Sequence, residues 1–369
     1  MMKQRMMRFG CFLFLILLIA CQSGEPEEAA LDMIDSSLEG IKEIHPIDLS
    51  EVDTWMYLLN YEPEEELIQQ LVDSEFDLLV LEPLINMPDY SDFPMAAVIQ
   101  RLHSAAHPKL VIAYIDIGQA EEWRSYWQPG WRIGQPDFIL GADPDSWEGN
   151  YPVAYWREEW QKLWLGEDGI LSLLLKAGFD GVYLDWVGGY ADEAVMEAAQ
   201  REGVDPELAM IEWVGRLADA GRAEDVKFIV IGQNAVELTE NEGYLDIIDG
   251  ISQEQVWFDG GPDNQPPGDC PLPRSEEEVD SEEYIQNLSP ACRRVYRDNP
   301  DGTLHDYSEY YLNYLRKVLL SGKAVFTVDY AVEAENVTWV HQTSREMGFI
   351  PFAGERDLGT FIPAYIEKD

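Results

Sequence analysis

Two acidic residues at the ends of apolar, strand-like runs are the best candidates for chemistry. Asp185 closes the run Gly181–Asp185, and Glu254 closes the run Gly250–Glu254. A sheet would bury such runs, so each acid stands where its strand leaves the core. Two carboxyl groups, one protonated and one ionised, can cleave a glycosidic bond. The sequence therefore makes glycoside hydrolysis the leading hypothesis, with Asp185 as nucleophile or base and Glu254 as acid/base.

The same two acids have a structural alternative. A carboxylate at a strand end can also cap the next helix or pair with an arginine. The sequence fixes neither the distance between Asp185 and Glu254 nor the stereochemical outcome of a reaction between them.

Other polar residues lie late in strand-like runs and would face the same mouth of a barrel. Glu82, Asp116 and Asp329 are candidates for substrate binding or for tuning the pKa of the catalytic acids, with a hydrogen-bonded scaffold role as the alternative. Gln233 and Asn234 follow the fifth run and could bind sugar hydroxyls or the catalytic acids, or could only form the turn.

Seven of the twelve tryptophans lie between Trp123 and Trp164. A flat apolar ring complements the C–H face of a pyranose, so such a density predicts sugar-stacking platforms. Trp123 and Trp127 are platform candidates. Trp186 and Trp257 adjoin the two strand ends and are candidates for walls of the sugar subsite. Packing in the core is the alternative for each of these residues.

Eight apolar runs with helical segments between most of them predict an α/β fold, a (β/α)₈ TIM-type barrel in one domain with long loops on its active face. The predicted strands are 55–59, 77–82, 110–117, 181–187, 228–231, 250–255, 324–330 and 348–352. The predicted helices are 64–74, 95–106, 160–177, 192–217, 308–320 and 334–347. The long segments 119–150 and 258–305 follow strands, so we expect them beside the active site.

The N-terminus predicts export. Basic residues precede the apolar run Phe12–Ala20, so residues 1–20 have the pattern of a signal peptide. The run ends in Leu-Ile-Ala-Cys, which is similar to a bacterial lipobox, and Cys21 is the predicted lipidation site. The alternative is an ordinary signal with an incidental cysteine. Residues 21–50 are polar and predict a tether, and 51–369 form the predicted hydrolase domain. We therefore expect a cell-envelope lipoprotein, anchored to the membrane on its outer side.

Two cysteines remain for the folded domain, Cys270 and Cys292, since Cys11 lies in the signal and Cys21 is the lipid site. An exported chain meets an oxidising environment, which favours a disulfide between them over two free thiols.

The formal net charge of -45 comes from 70 acidic and 25 basic residues and excludes nucleic acid as a partner that binds through its phosphates. The acidity has two interpretations. It is an adaptation of the whole surface to salt or solubility, or it suits a cationic substrate such as a partly deacetylated amino-sugar polymer.

Six segments resemble the polygalactosaminidase-related glycoside hydrolases, a group that includes endo-α-1,4-polygalactosaminidases. They are residues 113–121, 176–185, 232–235, 248–254, 328–331 and 348–351. The resemblance covers about Trp55 to Phe352 and implies a TIM-type barrel that acts on polymers of α-linked galactosamine or N-acetylgalactosamine. The family's expected catalytic pair, an Asp that closes the fourth strand and a Glu near the end of the sixth, falls on Asp185 and Glu254. The chain differs from the fungal pattern at 186–189 and in its insert after Phe258, which bears on substrate and linkage more than on reaction class.

The sequence predicts no cofactor and no metal. None of the five histidines ends a predicted strand, and His103 and His107, four residues apart, have no evident third ligand nearby. Two rivals to the hydrolase remain. One is a non-catalytic carbohydrate-binding surface lipoprotein on the same barrel, and the other is a metal-dependent deacetylase or phosphodiesterase barrel.

Overall fold

Eight parallel strands lie in chain order in one sheet that curls nearly into a closed barrel. A computed structural model describes residues 48–144, 147–259, 269–300 and 302–366. The predicted signal and lipid site, and the tether up to residue 47, lie outside the described residues. The barrel strands are β1 (Trp55–Leu58), β2 (Leu78–Leu81), β3 (Leu110–Asp116), β4 (Gly181–Asp185), β5 (Ile229–Gln233), β6 (Gly250–Glu254), β7 (Ala324–Asp329) and β8 (Ile350–Ala353).

The first and last strands meet at Trp55. Its indole Nε1 donates to the carbonyl oxygen of Ile350 at 3.0 Å, and its ring centroid lies 5.8 Å from that of Phe352. All four residues of β1 and of β2 are buried, as expected where one face of a strand packs in the barrel and the other meets helices. These features confirm the predicted (β/α)₈ TIM-type fold.

Helices surround the sheet, and their boundaries correct the sequence prediction at two places. The predicted helix 160–177 is broken between Gly166 and Gly169, and the predicted helix 192–217 is broken at Gly203, whose φ is +70°. Asp205 then caps a new helix that has Pro206 at its first position. The helices are α1 (Glu65–Asp73), α2 (Met95–His103), α3 (Glu158–Leu165), α4 (Ile170–Ala177), α5 (Glu193–Glu202), α6 (Pro206–Glu224), α7 (Glu242–Ile247), α8 (Glu282–Asn287), α9 (Cys292–Asp298), α10 (Ser308–Leu320) and α11 (Ala334–Glu346).

Short 3₁₀ helices occupy several connections. Four lie between a strand and the next helix, Leu84–Asn86, Pro88–Tyr90, Val187–Ala191 and Val236–Glu240, whereas Leu49–Glu51 precedes β1 and Thr303–His305 lies between α9 and α10. In the described part of the chain, no helix is long and apolar enough to cross a membrane.

Three aspartates join neighbouring strands at the N-terminal end of the barrel. Asp77, Asp180 and Asp249 precede β2, β4 and β6, and each accepts a hydrogen bond from a backbone N–H of the preceding strand or its approach, at 2.7 to 2.9 Å. Each also meets a basic side chain at 2.8 Å. The partners are His107 for Asp77, His103 for Asp180 and Arg222 for Asp249. The two histidines therefore bind different aspartates at this end and do not converge.

Two long segments follow β3 and β6 and contain more structure than the sequence predicts. In the first, Gln119–Glu121 pairs antiparallel with Asn150–Pro152 to form a hairpin. The second contains α8 and α9 and a small apolar cluster of its own. That cluster includes the disulfide between Cys270 and Cys292, whose Cα atoms lie 5.4 Å apart, as the sequence predicts.

Candidate active site

Asp185 ends β4 and is fixed by two neutral donors. The hydroxyl of Tyr114 on β3 donates to its Oδ2 at 2.5 Å, and the backbone N–H of Trp186 donates to its Oδ1 at 2.8 Å. The side chain is half-buried. Each oxygen keeps a free lone pair, so the carboxyl group can still meet a substrate.

Glu254 ends β6 and is fixed in the same way. The side-chain amide of Asn234 donates to its Oε2 at 3.0 Å, and the hydroxyl of Tyr330 donates to its Oε1. Asn234 also accepts the backbone N–H of Glu254 at 3.0 Å, so one amide side chain orients both the backbone and the carboxylate. Glu254 is half-buried like Asp185.

The two acids repel each other. Burial raises the pKa of Asp185, the negative charge of Glu254 raises it further, and the hydrogen bonds from Tyr114 and Trp186 oppose both effects, with a net pKa of about 6. A carboxylate raises the pKa of another only at short range. The strands β4 and β6 both flank β5 and end at these acids, so the fold places Asp185 and Glu254 at the same end of the barrel.

Tyrosines form the floor beneath the acids. The ring of Tyr57 lies 5.0 Å from that of Tyr183 and 6.2 Å from that of Tyr114. Burial is the main cause that raises the pKa of all three hydroxyls well above the usual value, and the charges of nearby groups, Asp185 among them, add to it. The floor therefore supplies neutral hydroxyl donors and no further charge.

In the described part of the chain, neither acid forms a salt bridge with lysine or arginine, and neither carboxylate caps a helix of the barrel. The structure gives no support to the structural alternative. No neighbouring cation fixes either carboxyl group in its ionised form, so each group can attack an electron-poor carbon or transfer a proton.

Glu82 is a framework residue and does not face the site as an open sugar contact. Its carboxylate pairs with Arg124, which also binds Glu121 through Nε to Oε2 at 2.6 Å and Nη2 to Oε1 at 3.0 Å. All three side chains are buried. The triad joins the end of β2 to the hairpin that follows β3.

Asp116 is also buried, with 1% of its surface exposed. Its Oδ1 accepts the backbone N–H groups of Gly118 and Gln119 at 3.0 and 2.8 Å, which shapes the turn into the hairpin. Burial, with the charges of Glu121 and Asp185, raises the pKa of Asp116 well above its usual value. A role in the electrostatics of Asp185 fits this position better than direct substrate binding.

Gln233, Asp329 and Trp257 are buried. Gln233 accepts the hydroxyl of Tyr183. Asp329 accepts the backbone N–H groups of Trp257 and Phe258 at 2.6 and 2.9 Å, and burial raises its pKa to about 7. These hydrogen bonds favour the framework alternatives that the sequence leaves open for Gln233 and Asp329, and substrate binding by these residues stays a prediction.

The ring of Trp257 packs edge-on against another tryptophan. Its centroid lies 5.3 Å from that of Trp339, and its Nε1 donates to the hydroxyl of Ser344 at 3.0 Å. Both contacts lie on α11. Packing, the alternative left open by the sequence, therefore describes Trp257 better than a wall of the sugar subsite.

Trp186 stands beside Asp185 in the left-handed conformation, with φ 58°. Two glycines make room for it. A Cβ on Gly118 would lie 2.5 Å from the Trp186 carbonyl oxygen, and a Cβ on Gly189 would lie 2.4 Å from its ring. The half-buried ring remains a candidate wall of the site.

Trp123 and Trp127 lie on the segment that follows β3. Trp123 is 39% exposed. Trp127 is half-buried and stacks on Tyr151, with centroids 5.2 Å apart and planes 23° apart. Both remain candidates for sugar-stacking platforms, although they lie far from Asp185 and Glu254 in the sequence.

Among the described residues, no group of three or more His, Cys, Asp or Glu side chains is arranged to hold a metal ion. His103 and His107 instead bind Asp180 and Asp77 at the far end of the barrel.

Residues 46–366 match the family model of glycoside-hydrolase family GH114. The chain belongs to this family. The match includes both acids and all eight strands, and it agrees with the resemblance seen in the sequence.

The GH114 chain is similar to proteins of distant organisms. It is 31% identical over 289 residues to an uncharacterized protein of Deinococcus radiodurans, which covers 78% of this chain and 76% of that protein. It is 26% identical over 315 residues to the uncharacterized protein MJ1477 of Methanocaldococcus jannaschii, which covers 82% of this chain and 76% of that protein.

Two solved structures share the GH114 chain's fold. The glycoside hydrolase domain of PelA from Pseudomonas aeruginosa has a TM-score of 0.55 at 14% identity, with 84% of this chain and 97% of that chain covered. Aspergillus fumigatus Ega3, solved in complex with galactosamine, has a TM-score of 0.53 at 16% identity, with 85% and 94% covered. At these identities the likeness shows the fold.

Sequence reasoning missed the donors that hold the two acids in this GH114 barrel. Tyr114 lies two residues before Asp116 and therefore on the same face of β3, a signal that alternation along the strand could have provided. Tyr330 follows Asp329, and it is Tyr330 that binds Glu254. Arg124 had no signal in the sequence, because its partner Glu82 lies 42 residues away.

We expect Arg124→Met to destabilise the GH114 domain by about 3–5 kcal/mol, because it leaves Glu82 and Glu121 buried without a cation. The measurement is the free energy of unfolding by chemical denaturation. Arg101→Met, which removes an exposed ion pair with Glu65, is the matched control and should change stability little. Replacing Glu82 and Glu121 by Leu in the Arg124→Met background should restore stability. A triple variant no more stable than Arg124→Met would contradict this explanation.

Proposed function

We propose that the chain is a glycoside hydrolase that cleaves an amino-sugar-containing polysaccharide, of the α-linked galactosamine or N-acetylgalactosamine type, with Asp185 and Glu254 as its catalytic pair. The observation that carries the proposal is the position of these two half-buried acids at the ends of β4 and β6, where each is held by neutral hydrogen-bond donors. Membership in GH114 supports the reaction class, and the solved complex of Ega3 with galactosamine supports the sugar class.

The proposed reaction uses the two acids in opposite protonation states. Protonated Glu254 gives its proton to the glycosidic oxygen while the bond from that oxygen to C1 breaks and its electron pair leaves with the oxygen. Ionised Asp185 either bonds to C1 itself or takes a proton from a water whose oxygen bonds to C1. In the first case a glycosyl ester forms, and water hydrolyses it while the Glu254 carboxylate accepts the water proton.

The repulsion between the acids supports opposite protonation states, because a proton on either acid favours the ionised form of the other. A proton on Glu254 removes the negative charge that helps to raise the pKa of Asp185. Asp185 is therefore most readily ionised when Glu254 is protonated, and the donors Tyr114 and Trp186 N–H stabilise its charge. The reaction requires no metal ion or cofactor.

We expect Asp185→Asn and Glu254→Gln each to reduce kcat on a partly deacetylated α-1,4-galactosamine polymer by at least about 100-fold, because each removes one carboxyl group from the reaction. Release of new reducing ends measures the effect, and thermal unfolding checks the fold. Asp219→Asn, an exposed carboxyl on α6, is the matched control and should keep full activity.

Aryl glycosides with a good leaving group separate the two roles, because such a leaving group departs without a proton. Glu254→Gln should recover activity on them, and Asp185→Asn should not. Undiminished release by either variant from the polymer would overturn the catalytic pair. Glycan binding by the wild type without release of any reducing end would favour the non-catalytic carbohydrate-binding protein.

The pH dependence should follow Asp185. Its pKa of about 6 lies above the usual value, so the ionised form that attacks is lost as the pH falls through about 6. We expect kcat/KM to decline on the acidic side with an apparent pKa near 6. Glu254→Gln removes the repelling charge, so the Asp185 carboxyl should titrate at lower pH in that variant, as followed by ¹³C NMR. An Asp185 pKa that is unchanged in Glu254→Gln would contradict the coupling.

We also propose that the chain is exported and anchored through a lipid on Cys21, with residues 1–20 removed and 21–50 as the tether. The lipobox-like sequence supports this, and Cys21 lies outside the described residues. In a bacterial host, the wild type should incorporate labelled palmitate and fractionate with membranes, and Cys21→Ser should do neither. Equal labelling of Cys21→Ser would reject the anchor.

A further inference from the structure

Two exposed tryptophans lie just beyond the paired strands of the hairpin after β3, in the region called here the tip of the hairpin. Trp123 is 39% exposed and Trp147 is 43% exposed, and they are the most exposed of all tryptophans in the described part of the chain. An indole that remains in water is costly, since its apolar surface would otherwise be buried. Two of them on one hairpin of the active face indicate a binding surface.

Each exposed tryptophan has an exposed glutamate next to it in the chain, Glu122 and Glu148. The Tyr151 hydroxyl donates to Glu122 Oε2 at 3.3 Å, and the charges of both glutamates help burial to raise the pKa of Tyr151. Within the described ranges, neither glutamate forms a salt bridge. Two negative charges beside two indoles are thus available to a cation.

The tip is held in place before any ligand arrives. The ring of Trp123 lies on Gly149, whose φ is +93° and where a Cβ would approach the ring carbon Cζ3 to 2.8 Å. The side chain of Asp143 accepts the backbone N–H of Trp147 at 2.9 Å. A surface ordered in this way loses little entropy on binding.

A ladder of aromatic rings connects the tip to the core. Tyr151 stacks on Trp127, whose ring lies 5.4 Å from that of Trp131. Trp131 in turn lies 5.4 Å from Phe138, which is buried. The glutamates and indoles of the tip therefore stand on a rigid support.

The base of the same hairpin adjoins the acids. The backbone N–H of Ile117 donates to the Asp185 carbonyl oxygen at 3.2 Å, and Gly118 packs against Trp186. The chain is extended from Gln119 to Glu121 and turns at Glu122 and Trp123, so at about 3.3 Å per residue the tip lies at most roughly 17 Å from Gly118. A polymer bound across Asp185 could therefore reach the tip with a sugar some units away.

We propose that Glu122, Trp123, Trp147 and Glu148, named here the tip subsite, bind a protonated amino sugar of the polymer away from the point of cleavage. The indoles stack on the C–H face of the ring, and the carboxylates pair with its ammonium group. An N-acetylated sugar has no such charge and gains only the stacking. This inference rests on the proposed function and extends it, because it gives the chain a preference for long, deacetylated substrate.

The test uses the full chain and three substrates. They are a long α-1,4-galactosamine polymer, the same polymer after complete N-acetylation, and a short aryl galactosaminide that fills only the cleavage site. The variants are Trp123→Ala with Trp147→Ala, and Glu122→Gln with Glu148→Gln. Glu207→Gln with Glu212→Gln, two exposed acids on α6, is the matched control.

The Trp123→Ala, Trp147→Ala double variant should have a KM about tenfold above wild type on both polymers, with kcat unchanged, because stacking is lost. The Glu122→Gln, Glu148→Gln double variant should have a KM several-fold above wild type on the deacetylated polymer only. Added salt should reduce the difference in KM between this variant and the wild type. Neither pair should change kcat/KM on the aryl galactosaminide, and the control should behave as wild type throughout.

The outcomes separate the two proposals. If the wild type cleaves the polymers and both hairpin variants keep the wild-type KM, the tip subsite is wrong and the proposed function stands. If the glutamate double variant raises KM equally on both polymers, the proposed recognition of the ammonium group is wrong. If the wild type cleaves none of the three substrates, the proposed function itself fails, and the tip subsite fails with it.

Discussion

Repulsion between two carboxylates governs the construction of this site. Asp185 and Glu254 both stand at strand ends in the barrel mouth, and burial together with the charge of Glu254 raises the pKa of Asp185. The fold holds both acids with neutral donors, a tyrosine hydroxyl and an amide for each acid. Such donors fix the geometry of a carboxylate and still leave its charge available for reaction.

The contrast with Glu82 and Glu121 shows that the choice of donor matters. These acids lie at the same end of the barrel and are more deeply buried, but Arg124 compensates both. A compensated carboxylate is a poor nucleophile and a poor acid, whereas it makes a stable joint between β2 and the hairpin after β3. One end of the barrel therefore contains two pairs of acids, and their partners give them different tasks.

The strands and the two acids could be predicted from the sequence because continuous apolar runs mark buried parallel strands and a polar residue marks the end of each run. The direction in which each side chain faces was harder to predict from the sequence. In β7 every residue is apolar or buried, so the sequence did not show that Tyr330, and not Asp329, faces Glu254. Partners far apart in the chain, such as Arg124 and Glu82, were equally hidden, because only the closed fold brings them together. The breaks at Gly166 and Gly203 were missed since the apolar periodicity continues across them.

The hydrogen bonds of Asp77, Asp180 and Asp249 lie at the opposite end of the strands from Asp185 and Glu254. These bonds join β1 to β2, β3 to β4 and β5 to β6. Insertions such as the disulfide-bonded segment after β6 can therefore lengthen at the carboxyl ends of the strands without disturbing those bonds. A barrel divided in this way can change the segments around one end while the bonds that join its strands at the other end are kept.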